Sequence, residues 1–217
     1  LRILVGLLNP SVLGAPPSTL LGVALSTYTI FLTPTGAHSG FRGLAGVVEA
    51  SVENIGRLVE SLGVRSSSLY VVRGGSVYVY VYGDDVNPGD VLGLGVDRVI
   101  GFIRGSPIVV FRSPLDFPDV MGGLCYAVEE VVVDRLELSE SITCTESSGS
   151  AVVEFKGVRS KAGFSLVGSV GSVYAMATAT IASRLWGAPV RVSSEVWSGD
   201  RVVVGVEVVG FGEESSS

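Results

Sequence analysis

The residues most suited to chemistry lie in two short loops rich in glycine and hydroxyl side chains. The first runs from Thr33 to Gly43 and holds the single histidine of the chain, His38. Around it stand Thr35, Gly36, Ser39, Gly40 and Arg42, just ahead of a strongly helical pattern. Unpaired amides at a helix N-terminus, two hydroxyls and a guanidinium suit a phosphate or carboxylate, with His38 as the acid or base of an enzyme on an anionic small metabolite. The second is Gly168-Ser169-Val170-Gly171-Ser172, whose small residues admit close backbone approach and whose amides are a second candidate anion cradle. The expected ligand-binding set is therefore Thr35, Gly36, Ser39, Gly40, Arg42, Gly168, Ser169, Gly171 and Ser172.

Other chemistries find less support. No Lys-Ser or Lys-Thr pair follows Gly40, so the first loop is not a phosphate-binding P-loop. The carboxylates Asp84, Asp85, Asp90 and Asp97 gather around turns, where acidic residues are ordinary. No GxSxG elbow accompanies His38, and no ligand spacing points to a metal or cofactor. Cys125 and Cys144 form neither CxxC nor CxxH, and the expectation is two free, buried cysteines in a reducing cytoplasm. The Gly168–Ser172 segment resembles, over about twenty residues, the Gly-Ser-Ser loop and helix of the homoserine, mevalonate and galactose kinase family, without its double-serine core. The closing Val190-x-Val192-x-x-Glu195 pattern resembles the vinyl-reductase type of small-ligand domain, without the cysteines typical of that hairpin. Neither resemblance assigns a family.

These loops must be held by the rest of the chain, whose composition sets the frame. Of 217 residues 47% are hydrophobic and only 17% charged, enough to build a thick core and leave apolar surface for self-association. A net charge of −6 repels a phosphate backbone, so nucleic acid is not an expected partner. Asn9-Pro10 stops the first apolar run before signal-peptide length. Residues 162–183 carry no charged side chain, and their polar positions include Ser165, Ser169, Ser172, Thr178, Thr180 and Ser183. That composition predicts a helix buried in a soluble core in preference to a membrane span.

Periodicity supplies the remaining elements. Strands are expected at Ile3–Leu8 and near Tyr28–Leu32. A helix is expected from Phe41 to Leu62, where Val48, Val52, Ile55 and Val59 recur at helical spacing and Gly63 is a left-handed stop. Hairpins are expected to turn at Gly74-Gly75, at Gly105-Ser106-Pro107, at Ser147-Ser148-Gly149 and at Gly199-Asp200. Between the second and third hairpins a helix is expected over 116–136, with Asp116 as its N-cap. The alternation of Tyr78, Tyr80 and Tyr82 with valines predicts a covered sheet face more readily than a base-stacking platform.

The expected fold class is α+β: antiparallel sheet built from β-hairpins with about three helices packed on it, one fully buried. A single domain over 1–212 is expected, with helix-then-hairpin units near 41–82, 116–156 and 164–209 and a solvated tail at 213–217. Whether 84–97 separates two subdomains stays open. The expected function is a homo-oligomeric binding or assembly protein with a small-anion pocket; the alternative is the metabolite enzyme of the Thr33–Gly43 loop.

Overall fold

A computed structural model describes residues 41–64, 66–162 and 170–210. The chain divides between residues 40 and 41, and all described residues belong to the second unit. Its elements are helix α1 (Phe41–Ser61), strands β1 (Ser66–Arg73) and β2 (Ser76–Gly83), the short helix α2 (Pro88–Leu92), and strands β3 (Ile100–Ile103) and β4 (Ser106–Arg112). Helix α3 (Leu124–Glu129) follows, continuing as a π-helical segment (Glu130–Arg135). Strands β5 (Ser141–Ser147) and β6 (Ser150–Lys156), helix α4 (Val173–Trp186), and strands β7 (Val190–Ser198) and β8 (Arg201–Val208) complete it.

The four hairpins join into one eight-stranded antiparallel sheet of order β3-β4-β2-β1-β7-β8-β6-β5. Gly74 and Gly75 both take positive φ (56° and 80°), as a primed two-residue turn requires. The second turn sits one residue earlier than expected, because Arg104 (φ 51°) joins Gly105 (φ 91°) in positive φ and releases Ser106 and Pro107 to β4. The halves meet at a narrow seam: β1 and β7 share only the pairs Leu69–Arg191 and Tyr70–Val190.

Helices α1, α3 and α4 and the π-helical segment lie on one face of the sheet and share one core with it. In α1 the periodic positions Val48, Val52, Ile55 and Val59 are buried, and Gly63 ends the helix at φ 68°. Helix α4 packs against β1, β2, β7 and β8, so it spans the seam. The buried helix expected over 162–183 begins only at Val173, with Ser172 as its N-cap, and every residue from Val173 to Ser183 is buried. Its hydroxyls find partners inside the core: Thr178 Oγ1 donates to Tyr174 O (2.8 Å), Ser113 Oγ and Thr180 Oγ1 share a bond (2.8 Å), and Ser183 Oγ donates to Tyr70 O (3.0 Å). The last bond satisfies a strand carbonyl at the seam.

Among the described residues, the opposite face is covered over its first half alone. Tyr80 and Tyr82 are buried there with Leu69, Val71, Ile108 and Val110 beneath Val86, Val91 and Leu94. Residues 84–97 are thus a cover over the tyrosine stripe, and the stripe is core.

Three expectations need correction. The helix expected over 116–136 begins at Leu124, and Asp116 is not its N-cap; Gly123 stands there. Asp116 instead turns inward, accepts from Val77 N (3.0 Å) and from Arg184 Nε (2.9 Å), and is almost completely buried. Second, β-branched Val131, Val132 and Val133 crowd an α-turn, and the helix widens so that Leu136 N donates to Val131 O (3.0 Å), five residues back. Third, Cys125 and Cys144 are a disulfide, with Cα atoms 5.5 Å apart, tying the first turn of α3 to the edge strand β5. Nineteen residues separate them in sequence, so the pairing is a tertiary event that CxxC-type spacing rules do not register. The cysteine case for a reducing compartment falls with it.

Candidate functional site

Of the residues nominated from the sequence, Gly171 and Ser172 are described, and Arg42 falls within the first turn of α1. His38, Thr35, Gly36, Ser39, Gly40, Gly168 and Ser169 lie outside the described residues, as do the strands expected within 1–40 and the tail at 213–217. Gly171 takes φ +83°, and a Cβ there would stand 2.7 Å from Ala175 Cβ, so only glycine fits. Ser172 is the N-cap of α4, its hydroxyl accepting from Ala175 N at 3.4 Å.

Sequence reasoning missed the partner of this N-terminus. Ser172 N donates to Glu195 Oε2 (3.1 Å), and Trp197 Nε1 donates to Glu195 Oε1 (2.8 Å). A carboxylate at a helix N-terminus meets the positive end of the backbone dipole. An external anion at Ser172 would have to displace it. Glu195 reaches this place through a β-bulge: Val192 pairs with Val206 and Ser194 with Gly205, leaving Ser193 as an extra residue. Strict alternation from Val190 and Val192 would turn Glu195 and Trp197 away from the helices. The extra residue reverses the parity, bringing both to the helix side and sending Val196 outward. Gly205 was the available signal, because a glycine inside a strand marks a bulge; a Cβ there would lie 2.5 Å from Ser194 Oγ and 2.8 Å from Ser193 Oγ.

Two buried tyrosines complete the cluster. Tyr70 Oη donates to Val170 O (2.9 Å), and burial, with a further contribution from the Glu195 charge, raises its hydroxyl above the ordinary range. Tyr174 Oη donates to Leu138 O (2.6 Å) and accepts from Ser160 N (3.2 Å), and burial pushes it up to about 12. Its ring packs 5.0 Å from Phe155 and edge-on to Trp197 at 5.8 Å. Both phenols are neutral near pH 7 and serve as fixed hydrogen-bonding struts around the start of α4.

A second surface has a different character. On the outer face of β5–β8, away from the helices, Val152 is 50% and Val196 60% exposed, with Val203 half-buried between them. Hydroxyls from Thr143, Thr145 and Ser194 and the ion pairs Lys156–Glu154 (3.3 Å) and Arg201–Glu154 (3.4 Å) surround this strip. Among the described residues nothing covers it, whereas the same face of β1–β4 lies beneath residues 86–94. No group of three or more metal-ligating side chains comes together among the described residues, and no described helix is long and apolar enough to cross a membrane. Comparison of the chain with protein-family models, with curated proteins and with solved structures finds no match.

Proposed function

We propose that this chain is a self-associating binding or assembly protein whose partner is a second copy of itself. The observation supporting this reading is the open outer face of β5–β8, where Val152 and Val196 stand exposed on the sheet. Apolar side chains grouped on one surface gain by leaving water together when a second surface covers them. Charges of both signs border the strip, Lys156 and Arg201 beside Glu154, so a like surface meets it without a net repulsive field.

Sedimentation equilibrium of the full chain over a hundredfold concentration range is the test. The expected result is a mass that rises with concentration, and a weaker rise when Val152→Glu and Val196→Glu are combined. A wild-type chain that stays monomeric throughout would overturn the reading.

A further inference from the structure

The strand order contains its own repeat. Within the first half the sheet reads β3-β4-β2-β1, and within the second β7-β8-β6-β5, so each half places its four strands in the same third-fourth-second-first sequence. All neighbours are antiparallel, so β3 and β7, four positions apart, run the same way, and so do β1 and β5. The seam inside the molecule joins the first strand of one half, β1, to the third strand of the other, β7. Among the described residues the two edges left over are β3, a third strand, and β5, a first strand. They are the two kinds of edge that the molecule already joins once.

The β3 edge lacks the usual defences, whereas β5 carries one charge, Glu146, which accepts from Trp186 Nε1 (3.0 Å). β3 (Ile-Gly-Phe-Ile) has no charged residue. With Arg104-Gly105 as a two-residue turn, Ile103 and Ser106 form the closing hydrogen-bonded pair, and Val110 N donates to Val99 O (2.8 Å) further along. Alternation then points the backbone groups of Ile100 and Phe102 away from β4, toward the open side. Phe102, which pairs with Pro107 on the helix side of the sheet, is 67% exposed. Beside the other edge the Cys125–Cys144 disulfide holds α3 over β5, and the neighbouring Tyr126 is 64% and Met121 71% exposed. Large apolar side chains therefore flank both edges, and both sets lie on the helix side.

We infer that copies of this chain join head to tail, β5 of one against β3 of the next, antiparallel, continuing the sheet as the β1–β7 seam does within one molecule. The seam needs two residue pairs, and β3 supplies four residues. Joining would set Phe102 of one copy against the layer holding Tyr126 and Met121 of its neighbour. Such a contact uses two different surfaces, so it yields a ring or an open chain of copies instead of a closed two-fold dimer. This inference rests on the self-association reading but uses a different surface, and the two fail separately.

The test uses full-length chains carrying Val152→Glu and Val196→Glu, which silence the open face. Phe102→Asp is added to one sample and Tyr126→Asp to another, each placing a charge at one end only. The expected result is association beyond a dimer without the added change, a monomer for each end variant alone, and a mixture of the two that forms a one-to-one pair and nothing larger. Formation of that pair also shows both variants folded. Undiminished association of either end variant alone overturns the edge proposal and leaves self-association standing. A mixture that stays monomeric also overturns it, as does a face-silenced chain that never associates while the wild type does. A wild-type chain that is monomeric at every concentration removes both readings.

Discussion

At the scale of single residues, the start of α4 is fixed by groups whose charge states matter. Tyr174 links Leu138 and Ser160 through one hydroxyl, and its ionisation is held up to about 12 by burial. The unfolded chain ionises near pH 10, so between about pH 10 and pH 12 the folded state keeps a proton that the unfolded state has lost. Stability contributed by the neutral phenol is complete below about pH 10 and falls as pH rises through that window. Urea unfolding at pH 8 to 11 is expected to show this fall, and Tyr174→Phe to flatten it while costing about 1–3 kcal/mol at pH 8 through the two lost hydrogen bonds. Tyr70, raised in the same direction by burial, contributes to what fall remains. Asp116 shows how a residue of a familiar type takes another role: the chain brings Arg184, 68 residues away in sequence, to its carboxylate, and capping is left to Gly123.

At the scale of elements, the disulfide is the clearest dependence. It closes a loop of about twenty residues that includes α3 and the π-helical segment and holds the edge strand β5 to the helical layer. Loops of that size lose about 3 kcal/mol of closure entropy when cross-linked in the unfolded state. Cys125→Ser with Cys144→Ser, or reduction of the wild type, is therefore expected to lower unfolding free energy by about 3 kcal/mol without changing the far-ultraviolet circular dichroism. An unchanged denaturation midpoint after complete reduction would show that the bridge does not constrain the chain. Boundaries of α1 and the four hairpins were legible because their signals are local: period, paired glycines, a stop glycine. The π-helical widening and the β7 bulge were not, because each inserts one residue into a regular pattern and the composition hardly changes.

At the scale of the whole molecule, α4 is the element that crosses the seam. Its small side chains let it sit close to β1, β7 and β8, and no position from Val173 to Ser183 has room facing water. Ala177→Leu is expected to cost about 2–3 kcal/mol by overpacking, measured by chemical denaturation, with no comparable cost for a surface change such as Glu60→Gln. An indifferent Ala177→Leu variant would mean that α4 has space around it.

The amino-acid sequence by itself determined the class of the fold, the hairpin partners and the chargeless run Val173–Ser183 within α4, since these follow from contacts within a few residues and from the cost of burying charge. Only the tertiary structure decided that Cys125 meets Cys144, that Asp116 meets Arg184, that Glu195 faces the start of α4, and which strands are left at the edges. Each of these depends on residues far apart along the chain, or on the parity of a strand after a single inserted residue, and nothing in local spacing carries that information.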